Sequence, residues 1–389
     1  HPVRIVADEN IVAVEDLFRQ FGELVKLPGR QICPDDVRTA DALLVRSITR
    51  VDRKLLAGST VKFVATATSG TDHLELEWLQ ENGIEVVDAA GCNANAVMEY
   101  VFTALCELIR NHAYSLRGKS AAVIGCGHVG SRVLRMLQQL GLECRVYDPF
   151  VEIALAADGN APASKTLPAH RLTNLHFCSF EEALNADIIS LHTPLTRKGD
   201  HPTFHLFDAD TLRALKPGTL LINSGRGEVV DNKALHEMLW KGASILTVFD
   251  VWEGEPLVNG ELAQMVDIAT PHIAGYSVEA KRAASESNYR DFLRHFDLGS
   301  DAAVCSEAQS RLPDGFDWDL ISQADTSSEG RARIDAIRHE FPLMALSEKF
   351  KRSTTEPNSA MVFDQLRREL AERHEFGLGA LLTTQRVRY

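Results

Sequence analysis

The sequence predicts an α/β protein built on doubly wound parallel sheets. Three observations carry that prediction. Short apolar runs alternate with helix-patterned stretches, the pattern of strands joined by covering helices. The alternation runs once through residues 3–87 and restarts at residue 121, after one long apolar stretch at 94–112. The chain has 389 residues, which at roughly 100–200 per domain leaves room for two or three domains.

The elements follow in chain order. Residues 3–7, 42–45, 62–65 and 84–87 are apolar runs of strand length, and residues 15–21, 54–57 and 74–82 read as the helices between them. Residues 94–112 read as a long helix leaving the first domain. A second series places strands at 121–124, 143–147, 187–191, 219–222, 245–249 and 268–269. Residues 150–175, rich in Ala, Pro and small polar residues, read as a surface insertion or, equally well, as an ordinary helix and loop. Residues 277–296 are helical in pattern, 299–330 are loop-like, and 363–374 read as a charged amphipathic helix. The tail after residue 296 is long enough for a small third domain.

Composition narrows the partners. Hydrophobic residues make up 45% and charged residues 24%, an ordinary globular mixture. With 41 basic against 54 acidic side chains, the net charge is −13. That field repels nucleic acid and anionic membranes, so neither is expected as a partner, and an anionic substrate needs a local cluster of cations. The seven cysteines include no CxxC pair, which predicts reduced thiols and no zinc or other metal site. No run reaches the roughly 18 apolar residues of a membrane span, and the first residues enter a strand pattern without a signal peptide. These features predict a cytoplasmic protein.

Ala121-Ala122-Val123-Ile124-Gly125-Cys126-Gly127-His128-Val129-Gly130 is a strand running into GxGxxG, with a helix directly after it. Gly125 permits a tight turn, Gly127 lets backbone approach a pyrophosphate, and Gly130 lets helix and strand pack closely. The phosphates would lie on the free N–H groups at the helix start, from His128 and Val129 onward. Asp148 ends the next strand, where a carboxylate accepts bonds from ribose hydroxyls and repels a 2′-phosphate. The cofactor expected is therefore NAD. The alternative is a glycine-rich turn beside a surface Asp.

Three further segments follow predicted strand ends: Asn223-Ser224-Gly225-Arg226-Gly227, Asp250-Val251-Trp252-Glu253-Gly254-Glu255-Pro256, and Thr270-Pro271-His272-Ile273-Ala274-Gly275-Tyr276. In an open α/β sheet that edge binds ligands. Arg226 can clamp a carboxylate with two parallel hydrogen bonds. His272 can take a hydroxyl proton, and Glu255 beside it can orient and charge-match the ring. Singly, each has a bland alternative: a surface cation, a turn residue, a loop histidine.

In order and spacing these segments resemble the D-isomer-specific 2-hydroxyacid dehydrogenases, over residues 3–296. The resemblance implies two Rossmann-like domains around a cleft. The substrate-binding domain would take residues 1–98, completed by the helix 277–296, and the NAD-binding domain residues 99–276. It implies Arg226, Glu255 and His272 as catalytic residues. Cofactor contacts would come from Gly125, Gly127, His128, Val129, Gly130, Asp148, Thr193, Ser224, Asp250 and Gly275, with Asp250 on the nicotinamide carboxamide. Further stretches, such as Val45-Arg46-Ser47-Ile48-Thr49, Thr66-Ala67-Thr68-Ser69-Gly70-Thr71-Asp72-His73 and Arg373-His374-Glu375-Phe376, match one branch of that family. That branch acts on a phosphorylated hydroxy acid and forms homodimers through a small C-terminal α/β dimerisation domain, here residues 297–389. Leu370 departs from it, standing where an aromatic is expected.

The same resemblance makes Ser47, Thr68 and Tyr276 substrate-binding. Arg46 is the candidate for the phosphate, on equal terms with a plain ion pair to a neighbouring carboxylate. Two rival functions stay open at this point. One is a phosphoglycerate- or glyoxylate-type dehydrogenase of the same family. The other is an NADH-sensing corepressor on the same fold, which could keep the Arg, Glu and His.

Overall fold

The structure is a computed structural model that describes residues 2–158, 175–299 and 309–384. The chain divides into two compact units, His1–Asn93 with Ser277–Ala308, and Ala94–Tyr276 with Gln309–Tyr389.

The first unit holds a five-stranded sheet of β1 (Val3–Asp8), β2 (Gly22–Leu27), β3 (Ala42–Val45), β4 (Phe63–Thr66) and β5 (Glu85–Val87). All pairs are parallel, in the order β2-β1-β3-β4-β5. The strand β2 was not among the expected ones. It is an edge strand, half exposed and carrying Glu23 and Lys26, so it lacks an apolar run. The helix Val278–His295 belongs to this unit and lays Tyr289, Phe292 and Leu293 against Val3, Ile5, Phe18 and Phe63. Phe292 meets Phe18 edge-on, with ring centroids 5.2 Å apart. Burying each such ring contributes about 2–3 kcal/mol.

The second unit holds a six-stranded parallel sheet of β6 (Ser120–Ile124), β7 (Glu143–Tyr147), β8 (Ile188–Leu191), β9 (Leu220–Asn223), β10 (Leu246–Phe249) and β11 (Ile268–Ala269). Their order is β11-β10-β9-β8-β6-β7. The chain steps from β6 outward to β7, then crosses to β8 on the other side. That reversal opens a crevice at the carboxyl ends of β6 and β8. The central strands are buried on both faces. Ala121 and Val123 join one core cluster, Ala122 and Ile124 the other. This double burial explains their continuous apolar runs.

The C-terminal tail differs from its expectation. Among the described residues it is helical, with helices at Trp318–Ser322, Ser328–Glu340, Leu343–Ser353, Ser359–Glu369 and Leu378–Thr384, and no strand. Instead of an α/β unit of its own, it packs into both core clusters of the second unit. Trp318, Ile334, Ile337 and Phe376 join one, and Phe350, Phe363 and Leu366 the other. The helix Ala94–Asn111 is consequently buried on nearly every side. Within the expected 150–175 insertion, the helix Pro149–Asp158 extends to residue 158 and residues 159–174 lie outside the described residues. Part of the loop expected at 299–330 also lies outside them.

Candidate active site

The glycine loop closes on itself as its spacing demands. Gly125 has φ +88°, and a Cβ there would lie 2.6 Å from the His192 carbonyl oxygen. At Gly130 a Cβ would lie 1.8 Å from the Gly125 carbonyl oxygen, so only glycine fits both. At Gly127 a Cβ would meet nothing within 4 Å, so this glycine faces open space at the start of the helix His128–Gln139. Val129 packs on the core behind it. The Asp148 carboxylate accepts from the Cys126 N–H at 2.8 Å and the Val151 N–H at 3.1 Å. It therefore braces the loop, and its remaining lone pairs are available to ribose hydroxyls.

Beside this loop lie buried polar atoms without a protein partner: Thr193 Oγ1, Ser224 Oγ and His192 Nδ1. Thr193 follows β8 and Ser224 follows β9, both at the carboxyl edge. Burial pushes the His192 imidazole down to about 3, so it is neutral, and its Nε2 lies 2.7 Å from the Ser190 hydroxyl. Buried hydroxyls left unsatisfied by protein and an open glycine at a helix start together fit a dinucleotide.

Arg226, Glu255 and His272 sit on loops after three adjacent strands, β9, β10 and β11. Gly227 brings the first two loops together, since a Cβ there would lie 2.1 Å from the Trp252 carbonyl carbon. His272 Nδ1–H donates to Glu255 Oε2 at 2.8 Å, and the Trp252 N–H donates to Glu255 Oε1 at 2.9 Å. Burial alone would raise the Glu255 carboxyl, but the charge and hydrogen bond of His272 outweigh it and hold it below its ordinary value. The side chains are 22% and 34% exposed, so the pair can reach a ligand. The Arg226 backbone is fixed by Asn223, whose side-chain amide donates to the Arg226 carbonyl at 3.0 Å.

The loop that carries His272 is gripped from two sides. Asp250 is 0% exposed, and its carboxylate accepts from the Thr270 hydroxyl (2.7 Å), the Ile273 N–H (2.8 Å) and the Ala274 N–H (2.9 Å). It thus grips the loop that carries His272. Burial raises its carboxyl above the ordinary range. From the tail, buried Arg373 donates to the Ala274 and Tyr276 carbonyls at 3.1 and 3.2 Å and to the Ala96 carbonyl at 2.8 Å. The carboxylate takes the loop's N–H groups and the guanidinium takes its carbonyls. His272 itself has φ +55°, a backbone conformation held by this clamp. A second tail residue, Arg367, donates to the Tyr276 hydroxyl. Gly275 lies half exposed between these contacts. Sequence reasoning missed Arg367 and Arg373 as site residues. Their only signal was membership of tail stretches matching the family branch.

In the first unit, Arg46 Nε donates to Asp8 Oδ2 at 3.0 Å, and Asp8 is 0% exposed. The ion-pair reading of Arg46 is the one the structure displays. Ser47 is exposed after β3, while the Thr68 hydroxyl donates to the Gly70 carbonyl at 2.9 Å after β4. The described cysteines are free thiols, and no described helix is long and apolar enough to cross a membrane. One cluster of metal-capable side chains, His205 with Asp231 and Glu253, lies apart from the trio's hydrogen bonds.

Comparison with known proteins places the chain. Residues 106–274 match the NAD-binding domain of the D-isomer-specific 2-hydroxyacid dehydrogenases. The erythronate-4-phosphate dehydrogenase of Cellvibrio japonicus is 38% identical over 379 residues, which is 96% of this chain and 93% of the relative. That of Chromohalobacter salexigens is 44% identical over 297 residues, 76% of this chain and 73% of the relative. The chain belongs to the erythronate-4-phosphate dehydrogenase family. As a member it is an NAD-dependent oxidoreductase, and NAD is its cofactor. Among solved structures, an NAD+-bound 3-phosphoglycerate dehydrogenase of Entamoeba histolytica aligns with TM-score 0.63 and 23% identity. It covers 79% of this chain and 99% of its own, a likeness of fold.

Proposed function

We propose that the chain oxidises 4-phospho-D-erythronate at C2 to (R)-3-hydroxy-2-oxo-4-phosphooxybutanoate, a step in pyridoxal 5′-phosphate (vitamin B6) biosynthesis. The observation that carries the reading is the His272–Glu255 pair at 2.8 Å, on the same sheet edge as Arg226 and the glycine loop. Bound at that loop, NAD supplies a hydride acceptor. Because His272 Nδ1–H is committed to Glu255, Nε2 is the nitrogen that takes the C2 hydroxyl proton. Glu255 stabilises the imidazolium so formed. Arg226 holds the substrate carboxylate and polarises the C2 oxygen. Asp148, Thr193, Ser224 and the glycine loop hold the dinucleotide. Substrate contacts at Ser47, Thr68 and Tyr276 rest on the family resemblance. The protein works in the cytoplasm as a homodimer that uses its C-terminal helices.

A substrate panel tests this reading. The protein oxidises 4-phospho-D-erythronate with NAD, and His272→Ala lowers kcat by orders of magnitude while NAD binding persists. A clear preference for 3-phosphoglycerate would overturn the substrate assignment.

A further inference from the structure

An acidic protein that takes a doubly anionic substrate needs two local cations, one for each end. Arg226 answers the carboxylate. Arg46 is neutralised by a fully buried partner, Asp8, at 3.0 Å. The tail offers another cation. Arg367, on the helix Ser359–Glu369, donates a hydrogen bond to the Tyr276 hydroxyl, and its guanidinium carbon lies 5.0 Å from the Tyr276 ring centroid. It pairs weakly with the Asp364 carboxylate, at 3.8 Å. Its Nε is buried and finds no partner. Tyr276 lies four residues past His272 on the clamped loop, and the Arg367 charge is felt at Glu255.

We propose that Arg367 is a phosphate-recognising residue of the active site, supplied by the C-terminal tail of the same chain. The proposal rests on the reading of the substrate as a phosphorylated hydroxy acid. The phosphorus of such a substrate lies four bonds from the carbon whose hydroxyl proton His272 takes, so its cation must come from a neighbour of the His272 loop. A guanidinium stacked on Tyr276 is pre-oriented for this task. The hydroxyl bond and the rings of Tyr276 and Phe363 hold the guanidinium in place, and its remaining terminal N–H groups are the ones that meet phosphate oxygens. Tyr276 then has a stated job, to aim Arg367. The tail likewise has a catalytic-site role beyond packing.

The test compares kcat/KM for 4-phospho-D-erythronate and unphosphorylated D-erythronate in wild type, Arg367→Met and Arg367→Gln. Gln keeps the stem and a donor for Tyr276 while removing the charge, so it serves where Met fails to fold. The preference for the phosphorylated acid should fall by about 10–100-fold in either variant, the size of one charge-assisted contact. If the two acids lose rate in parallel and the preference stays within about twofold, Arg367 is a packing partner of Tyr276 and the proposal is wrong. Wild-type protein that oxidises neither acid would overturn the proposed function itself, and this proposal with it.

Discussion

Replacing Glu255 by Gln tests the chemical core of the site. The two Glu255 oxygens now accept from two different donors, His272 Nδ1–H at 2.8 Å and the Trp252 N–H at 2.9 Å. Gln has one acceptor oxygen, so it can serve only one of them. If the oxygen stays on Trp252, the amide N–H2 faces the imidazole, and Nδ1 must give up its proton. The ring then carries its proton on Nε2 and has no lone pair there for the substrate hydroxyl. If the oxygen turns to His272, the amide opposes the Trp252 N–H, and a half-buried donor is left unpaired at about 1–3 kcal/mol. In both orientations the charge that stabilises the imidazolium is gone, a loss of about 1.5–3 kcal/mol, or roughly 10–150-fold in rate. A wrong tautomer adds to this, and the corresponding change in a serine-protease triad costs about 10⁴-fold. The expected fall in kcat/KM is therefore about 10²–10⁴-fold, read from NADH absorbance, with NAD affinity unchanged. A variant within about fivefold of wild type would refute the base assignment. Stability should respond as well. Glu255 is held below its ordinary value of 4.5, so its contribution to stability is fully present above that pH. The contribution is lost as pH falls through the lower folded value. The stability gap between wild type and E255Q in urea unfolding should narrow in that acid range.

The glycine loop gives a paired expectation. Gly130→Ala forces a Cβ to within 1.8 Å of a carbonyl oxygen and should lower stability by about 1–3 kcal/mol or block folding, whereas Gly127→Ala, with nothing within 4 Å, should leave the melting temperature almost unchanged and weaken NAD binding at least about tenfold in a fluorescence titration. Glu107 is 1% exposed and accepts from Arg338 at 2.7 Å and the Met344 N–H at 3.1 Å, so Glu107→Ala should destabilise the second unit by about 3–5 kcal/mol in denaturant unfolding.

Much of this arrangement is legible in the sequence because its causes are local. A buried parallel strand must be apolar on both faces, so β8 and β9 stand out, while β2 does not, since an exposed edge carries charge. The glycine spacing and the three loop motifs are also local, and each loop follows its strand by a residue or two. What stays hidden is long-range. Nothing near Arg373 in the sequence tells that it grips carbonyls of residues 274 and 276. Nothing near Arg46 decides between phosphate and Asp8, which lies 38 residues away. Asp250 was legible as a conspicuous strand-end carboxylate, but its three donors come from the next loop but one in the sequence, after the helix Gly260–Met265.

The same long-range logic explains why the tail belongs to the dinucleotide unit. The helix Ala94–Asn111 carries two buried carboxylates, Glu99 and Glu107, in a largely apolar and buried sequence. Burial, with Glu375 nearby, pushes the Glu99 carboxyl up to about 7, against the pull of the Arg373 charge and of backbone donors from the tail. Those donors are the backbones of Phe376, Gly377 and Leu378, at 2.7, 2.9 and 2.9 Å. The partners of Glu107 are Arg338, the Met344 N–H and Asn111 of its own helix. Without the tail, Glu99 would lose these three backbone donors and Glu107 the Arg338 guanidinium. Covering these carboxylates without partners would cost several kcal/mol, so the tail that buries the helix also has to supply their partners. The helix that follows the first unit is therefore written for a chain that has the tail. The tail's Arg373 in turn fixes the loop that presents His272, so one segment both completes the fold and positions the proposed base.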